Sequence, residues 1–311
     1  MSSQVVIKDK KYTGNVSRMA TAIQQVAGKI TTEPSGLYGQ KVTLETGDVL
    51  IKNDEIDLEF DIPFDDDTEA NEASITVYNL TNKTINAIKK GAALSITAGY
   101  GKDTGVIFSG YVSAKKSYWD NGSRVTDIYA IDDNGKKETE LEELSFSSGT
   151  KASAILRKLV TRVGLPVAVF QTRRDHTYKD KVTVNGGLME NIRRYAQICG
   201  VVAYVCKSKI YVCPLTYGEH DTFALSADTG LLSVQEFEEE STAEDYTDII
   251  TGLDIEMLLQ HRVQTGSIIN VTTKSVDGVE GDYRVREGSH SYDGEQFITR
   301  VKAVAASCLK K

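Results

Sequence analysis

The stretch Ile56-Asp-Leu-Glu-Phe-Asp-Ile62 has an apolar residue at every second position and an acidic residue in each gap. Because side chains alternate between the two faces of a β-strand, this period of two predicts a strand with one buried and one solvated face. Four more strands are predicted downstream, at Ser74–Leu80, Leu94–Tyr100, Val106–Val112 and Arg124–Asp132. Short strands at this spacing are typical of an antiparallel barrel or sandwich.

Helical periodicity occurs once within this β section and twice after it. Thr81 is predicted to cap a short helix that buries Ile85 and Ile88. Thr150 is predicted to cap the clearest helix of the chain, whose apolar face consists of Ile155, Leu156, Leu159, Val160 and Val163. Another helix is predicted at Gly187–Cys199.

A hairpin and a second run of strands complete the pattern. The arms of the hairpin are predicted at Val201–Cys206 and Ile210–Cys213. The strands that follow are predicted at Phe223–Ser226, Leu231–Phe237, Ile249–Leu253, Ser267–Thr273, Tyr283–Gly288 and Phe297–Val304. We therefore predict a mixed β fold with an α/β insertion, in which two antiparallel β-barrels flank a central helical-plus-hairpin section.

The order of the predicted strands and helices divides the chain into four segments. Residues 1–44 form an N-terminal segment to which no role is assigned, with a helix candidate at Asn15–Lys29. The boundaries predicted for the other three are 45–132 for the first barrel, 133–221 for the α/β section and 222–311 for the second barrel.

Composition restricts the possible functions. The 311 residues are 40% apolar and 26% charged, which permits several packed cores and excludes global disorder. The formal net charge of -8 argues against a dedicated nucleic-acid binder, which needs a basic footprint. We expect neither a signal peptide nor a membrane span, because the N-terminus has no sustained apolar run and the longest one, Ile198–Cys206, is too short to span.

Acidic residues are concentrated in two stretches that lack Lys and Arg. Asp54–Glu72 contains ten acidic residues and Glu236–Asp248 contains seven, which leaves the rest of the chain at a net charge of +9. These acids can solubilise the outer faces of strands and protect sheet edges, or they can line a lumen that repels phosphate. A calcium site at Asp65-Asp-Asp67 or Asp132-Asp-Asn-Gly135 is a further interpretation, although neither has the spacing of an EF-hand loop.

Cysteine and histidine residues do not form a recognisable catalytic or metal-binding motif. Cys199, Cys206 and Cys213 recur every seven residues, whereas zinc sites favour closely spaced pairs, so we predict buried apolar thiols. His290 has Ser and Asp neighbours in Ser289-His-Ser-Tyr-Asp293, but a triad is assembled by folding, and no G-x-S-x-G elbow is present. We predict no catalytic residue, no cofactor and no metal ligand.

Three ordered groups of motifs resemble the tail hub proteins of phages of Gram-positive bacteria. The first group is Phe60-Asp-Ile-Pro-Phe64, Ile75-Thr-Val-Tyr-Asn-Leu80, Ala98-Gly-Tyr-Gly101 and Ile107-Phe-Ser-Gly-Tyr111. The second is Gly149-Thr-Lys-Ala-Ser-Ala-Ile-Leu156, Gly187-Leu-Met-Glu-Asn-Ile192 and Lys209-Ile-Tyr-Val-Cys-Pro214. The third is Leu258-Leu-Gln-His-Arg262, Gly281-Asp-Tyr-Arg-Val285 and Phe297-Ile-Thr299. The resemblance extends over residues 45–304.

The resemblance implies a non-enzymatic hub of a contractile-tailed phage or of a phage-derived bacteriocin. It implies a homotrimeric ring that matches the sixfold tail tube protein to a threefold spike or tail-tip protein and surrounds the channel of the tape-measure protein. It also implies contacts with neighbouring baseplate proteins, but none with a membrane or with a specific nucleic-acid sequence. Such a hub is synthesised in the bacterial cytoplasm and assembled into the virion tail. The residues that match the barrel motifs by position are Tyr78, Asn79, Leu80, Phe108, Gly110 and Tyr283.

Two other functions are compatible with the sequence. Glu138, Glu140, Glu142 and Glu143 would supply the paired carboxylates of a peptidoglycan hydrolase, although adjacent glutamates usually form a solvated face. A carbohydrate-binding or receptor-binding module of a tail would use exposed aromatic residues such as Trp119 to stack on sugars.

Overall fold

The computed structural model describes residues 37–67, 70–132, 140–206, 209–214, 217, 223–243, 246–273 and 278–305, and of these it describes 240–243 and 246–249 by their backbone only. The helix candidate Asn15–Lys29 lies outside the described residues, as do Glu138 and Cys308.

The described residues form three successive sections. The first β section contains β1 (Gln40–Thr46), β2 (Val49–Lys52), β3 (Leu58–Phe64), β4 (Glu72–Tyr78), α1 (Asn82–Ala87), β5 (Ala93–Tyr100), β6 (Asp103–Asp120) and β7 (Ser123–Ile131). The α/β section contains β8 (Glu140–Phe146), α2 (Ala152–Val163), β9 (Val167–Phe170), β10 (Val182–Gly187), α3 (Leu188–Ile198), β11 (Val202–Cys206) and β12 (Lys209–Cys213). The second β section contains β13 (Phe223–Leu225), a 3-10 turn (Ala227–Thr229), β14 (Leu231–Ala243), β15 (Tyr246–Leu258), β16 (Ile268–Val271), β17 (Gly281–Tyr292) and β18 (Phe297–Ala305).

Strands of both β sections form one sheet, in the order β14-β15-β18-β17-β3-β4-β7-β6-β5-β1-β2 with antiparallel neighbours. The sections meet where β17 pairs with β3, from Gly288 opposite Phe64 to Tyr292 opposite Phe60. The mixed, mostly antiparallel β fold with an α/β insertion is therefore confirmed. Among the described strands this path ends at β14 and at β2, so their pairing does not close a barrel.

The alternation that predicted the first strand is present in β3. Leu58, Phe60 and Ile62 are buried, whereas Glu59 and Asp61 lie on the opposite face. The buried residues belong to an apolar core that also includes Leu259 and Phe297 of the second β section. The α/β section and the second β section each have an apolar core as well.

The helices follow the predicted apolar faces, but one predicted cap is wrong. Thr81 caps α1, because its Oγ1 accepts a hydrogen bond from the backbone N of Thr84 at 3.2 Å. Thr150 does not cap α2: its hydroxyl donates to the carbonyl of Ser147, and Lys151 occupies the N-cap position. Asp175 takes over the capping role by accepting hydrogen bonds from the backbone N of Ser153 at 3.0 Å and from its Oγ at 2.6 Å.

Several pairings were not predicted from the sequence, and three of them change the predicted outline of the sections. β1 and β2 form a hairpin ahead of the first predicted strand, and β1 begins before the predicted boundary at residue 45. β8 pairs with β10, although the glutamates of Glu140–Phe146 indicated only a polar stretch. β9 pairs in parallel with β12, which extends the predicted hairpin to three strands.

Candidate structural site and assembly surfaces

A buried arginine connects the three sections. Arg284 lies in β17 and its side chain is 0% exposed. Its Nη1 donates to Asp66 Oδ2 at 3.0 Å, in the loop after β3, and its Nε donates to the carbonyl of Tyr217 at 3.1 Å. The guanidinium carbon lies 5.8 Å from the ring centroid of Tyr204 in β11. A buried guanidinium must be paired to be tolerated, so these contacts fix the three sections against one another.

The ion pairs continue along the face of β17 and β18. Arg286 Nε lies 3.8 Å from Asp66 Oδ1, and Arg286 Nη1 donates to Glu239 Oε2 at 3.5 Å. Lys302 also pairs with Glu239, and its ammonium lies 4.5 Å from the ring centroid of Phe237. The hydrogen bond from Lys302, together with the charges of Lys302 and Arg286, holds the pKa of Glu239 below its usual range.

The triple-aspartate turn after β3 takes part in the same junction. Thr265 of the second β section donates to the backbone carbonyl of Asp65 at 3.0 Å. Burial and then the neighbouring carboxylates of Asp67 and Asp66 raise the pKa of Asp65 to about 7. Because Asp66 already pairs with Arg284, this turn does not favour the calcium interpretation. In the described part of the chain no cluster of His, Cys, Asp and Glu has the arrangement of a metal site.

A second contact between the β sections lies at the turn from β5 to β6. Asp103 accepts hydrogen bonds from Arg262 Nη1 at 2.9 Å, and its Oδ1 lies 3.0 Å from His261 Nε2. These bonds, with Arg262 the larger influence, lower the pKa of Asp103. Gly105 provides the space for the imidazole, since a Cβ at that position would lie 2.2 Å from His261 Nδ1. The loop before β16 is thereby held against the first β section.

His290 is a structural residue of the core. Its side chain is buried, its Nδ1 lies 2.8 Å from Thr299 Oγ1, and its Nε2 lies 3.1 Å from the carbonyl of Val263. Its ring packs 5.0 Å from the ring of Phe64. Both ring nitrogens of His290 therefore lie within hydrogen-bonding distance of groups other than Ser289 and Asp293. This arrangement differs from that of a Ser-His-Asp triad.

The cysteines in the described residues are buried, as predicted. Cys199 lies in the core of the α/β section, and Cys206 and Cys213 pack in a smaller cluster beside it. Burial raises the pKa of the Cys199 thiol to about 11, which disfavours the reactive thiolate.

The glutamates considered for hydrolysis lie on a strand surface. Glu140, Glu142 and Glu143 are exposed on β8. These glutamates therefore form a solvated face, which is the interpretation that the sequence pattern favoured.

Three of the residues that match the barrel motifs lie in cores. Leu80 and Phe108 are 3% and 4% exposed in the core of the first β section. Tyr283 is buried in the core of the second β section. Their part in barrel formation stays a prediction.

The other three occupy constrained positions at the edges of the first core. A Cβ on Gly110 would lie 2.1 Å from the carbonyl oxygen of Ile131. Asn79 has φ 57°, and its Oδ1 accepts a hydrogen bond from the backbone N of Arg124 at 3.1 Å. The phenol of Tyr78 donates to Glu59 Oε1 at 2.9 Å.

Sequence reasoning missed the residues that join the sections. Arg284 and Asp66 are 218 positions apart, and their pairing leaves no short-range pattern. One signal was available, because Arg284 lies between the buried apolar residues Tyr283 and Val285, and a charge in such a position requires a partner.

An open groove of about 650 Å³ lies on the outer face of the second β section and extends to the end of β3. Its lining includes Phe64, Asp254, Glu287, Arg300 and Val301. In the first β section, the β6–β7 hairpin carries Trp119, which is 72% exposed. No helix in the described ranges is both long enough and apolar enough to cross a membrane.

Solved structures share this fold at low sequence identity. The 43 kDa tail protein of prophage MuSo2 from Shewanella oneidensis has a TM-score of 0.63 and 9% identity, and covers 87% of this chain and 99% of its own. A tail protein from Neisseria meningitidis MC58 has a TM-score of 0.59 and 12% identity, with 86% and 97% covered. The c3393 protein of E. coli, a component of the type VI secretion system, has a TM-score of 0.57 and 9% identity, with 84% and 76% covered.

Comparison with curated proteins gives no match. Comparison with protein families gives one that spans most of the chain: the family described as baseplate hub gp41 matches residues 40–294. The predicted relation to phage tail hubs is thus confirmed, and the chain belongs to the baseplate hub gp41 family.

Proposed function

We propose that this chain is the structural hub of a phage tail baseplate and works as a homotrimeric ring. In this role the ring joins the sixfold tail tube protein to a threefold spike or tail-tip protein and surrounds the channel that holds the tape-measure protein. Neighbouring baseplate proteins bind its outer surface. The family match over residues 40–294 carries the proposal.

The contacts at the junction of the sections support a role as a rigid subunit. β17 and β3 pair in register over five residues, and Arg284 contacts both Asp66 and the Tyr204 ring at the same place. A ring that joins the tube to the spike needs rigid subunits. Movement between the sections of a subunit would disturb the match between the sixfold tube and the threefold spike. The two β sections of each subunit would supply the quasi-equivalent units of the ring.

A structural function also agrees with the chemistry of the described residues. His290 is held in a core, the cysteines are buried, and the glutamates of β8 lie on a solvated face. We therefore propose that the hub has no enzymatic activity, is made in the bacterial cytoplasm and becomes part of the virion tail. A zymogram on peptidoglycan tests this part, and clearing that disappears in a Glu140→Gln/Glu142→Gln variant would contradict it.

The ring is tested by the native mass of the purified chain. Light scattering over a concentration series should show a species of three chains. Addition of the tube and spike proteins should then give a complex in which that ratio is kept. A mass of one chain, both alone and with the tube and spike proteins, would contradict the proposed function.

A further inference from the structure

The two β sections contain the same succession of paired strands. In the first section β3 pairs with β4, β4 with β7, β7 with β6 and β6 with β5. In the second section β14 pairs with β15, β15 with β18, β18 with β17 and β17 with β16. All of these pairs are antiparallel. The chain therefore contains a tandem structural repeat, in which β3 to β7 correspond to β14 to β18.

Irregularities at matching positions align the two repeats. The register of β6 against β7 shifts directly after Val112, and that of β17 against β18 shifts directly after Val285. The carbonyl of Val112 accepts a hydrogen bond from the backbone N of Gly91 at 2.8 Å. The carbonyl of Val285 accepts the same bond from Gly266 at 2.9 Å, and both glycines have positive φ, 78° and 83°. Val112 therefore corresponds to Val285.

The alignment continues across four strands of each section. Three residues after the aligned valines, a row of directly opposite residues crosses each section. The row is Lys115–Ile128–Ile75–Phe60 in the first section and Gly288–Val301–Ile255–Val234 in the second. Residues 115–119 of β6 therefore correspond to residues 288–292 of β17. Residues 234–238 of β14 correspond to residues 60–64 of β3.

Two of these four segments pair with each other inside the chain. Residues 288–292 of β17 lie opposite residues 60–64 of β3, which is the junction of the sections. In the part of the chain that the structure describes, β14 pairs with β15 alone, and residues 115–119 pair with β7 alone. Every residue of 115–119 is exposed, whereas 288–292 are buried or half-buried. Each chain therefore has one complete junction and the two separate halves of another.

We propose that these halves join between copies: residues 115–119 of β6 pair with residues 234–238 of β14 in the next copy, antiparallel and in the register of the internal junction. The backbone of β6 suits this pairing. Its hairpin ends in the two-residue turn Asn121-Gly122, so Lys115, Ser117 and Trp119 direct their N–H and C=O groups away from β7. An edge strand with such unpaired groups is a template for another strand.

The register also explains why a large aromatic side chain is exposed at this edge. Trp119, which is 72% exposed, comes to lie opposite Val234, a half-buried residue packed against the core of the second β section. The internal junction has the same arrangement, since Tyr292 lies opposite Phe60 with ring centroids 6.0 Å apart. Pairing between copies thus covers Trp119 as pairing within the chain covers Tyr292.

Each chain offers one β6 edge and one β14 edge, so the contact is head-to-tail. Three copies then form a ring of six repeats when the rotation between copies equals the rotation between the two repeats of one chain. This inference rests on the proposed ring and names the strands and the register that build it.

The test is a disulfide between copies that forms only in the proposed register. Tyr118 and Gln235 lie opposite each other there, at a position without hydrogen bonds where the Cα atoms are about 4.5 Å apart. The full-length Tyr118→Cys/Gln235→Cys variant is oxidised under conditions in which the wild type has the three-chain mass. It should give covalent dimers and trimers on a non-reducing gel.

Matched cysteine variants control for chance collisions. In Ala114→Cys/Gln235→Cys the new thiol of β6 is four residues out of register, and the yield of cross-linked chains should be about tenfold lower or less. Tyr118→Cys alone and Gln235→Cys alone should give no more cross-linked product than the wild type, because a head-to-tail contact does not bring two copies of one position together.

A proline in β14 tests the backbone pairing without cysteine chemistry. Glu236→Pro removes an N–H that faces the next copy, so the chain should keep its circular dichroism spectrum and lose the three-chain mass. Glu236→Ala keeps this N–H and should keep the three-chain mass.

The outcomes separate this inference from the proposed ring. A wild-type trimer in which Tyr118→Cys/Gln235→Cys links no better than the out-of-register variant would overturn the inference and leave the ring intact. A wild-type chain that stays monomeric, alone and with the tube and spike proteins, would contradict both.

Discussion

The two β sections of this protein share one sheet but have different outer surfaces. The first carries the β6–β7 hairpin with the exposed Trp119, and the second carries the groove lined by Asp254 and Glu287. Their inward positions are alike, since both cores are built from aliphatic and aromatic side chains. In a strand only every second residue is needed for the core, so the outward positions can diverge without loss of fold. The difference teaches that the exposed surfaces are set by positions outside the pattern that predicts the strands.

The largest expected effect comes from a charge in the core of the first section. Leu80→Asp should abolish soluble folded protein, because Leu80 is 3% exposed and an unpaired buried carboxylate costs several kcal/mol. Leu232→Asp is the matched change in the second section, where the side chain is 52% exposed, and it should leave stability within about 0.5 kcal/mol. Soluble yield and urea unfolding measure both. Recovery of a normally folded Leu80→Asp trimer would contradict the placement of Leu80.

A smaller but still severe effect is expected at the junction that unites the sections. Arg284→Met leaves Asp66 with only the longer contact to Arg286 and should cost about 3–5 kcal/mol of unfolding free energy. Arg300→Met removes an arginine from the exposed pair with Glu256 and should cost about 0–1 kcal/mol. Chemical denaturation of both variants tests the contrast, and equal losses would show that the Arg284 pair does not hold the junction.

Each β section has a glycine at a close contact between strands, so the effect of the same Gly→Ala substitution can be compared in the two sections. A Cβ on Gly110 would lie 2.1 Å from the Ile131 carbonyl, and one on Gly252 would lie 2.2 Å from the Ala303 carbonyl. Gly110→Ala and Gly252→Ala should each destabilise the protein by about 1–3 kcal/mol, because backbone must move. Gly187→Ala is the control, since its Cβ would meet no atom closer than 3.6 Å. A stable Gly110→Ala variant would mean that β6 and β7 separate at little cost.

The sequence predicted the elements whose signal is local. Alternation identified β3, and the apolar face of α2 has the predicted members buried. The cap of α2 was missed because Asp175 lies 22 positions from Ser153, and β8 was missed because its glutamates conceal the buried Leu141. The junction of Arg284 with Asp66 depends on tertiary folding alone, so no window of sequence contains it.

The smallest expected effect concerns the pH dependence of the two contacts between the sections, where Asp65 and Asp103 are shifted in opposite directions. The pKa of Asp65 is raised to about 7 in the folded protein, so its contribution to stability is full below about pH 4 and is lost as the pH rises through 7. Asp65→Asn should therefore match the wild type at pH 4 and raise Tm by about 2–4 °C at pH 8.

Asp103 should show the reverse. Arg262 and His261 lower its pKa, so its stabilising contribution is present above about pH 4 and is lost as the pH falls through the lowered value. Asp103→Asn should lower Tm at pH 8, with a difference that shrinks toward acid. Differential scanning calorimetry from pH 3 to pH 8 resolves the two slopes, and slopes of the same sign would refute the opposite electrostatic roles assigned to these contacts. Since one contact strengthens toward acid and the other toward base, the attachment between the β sections should change less with pH than either contact alone.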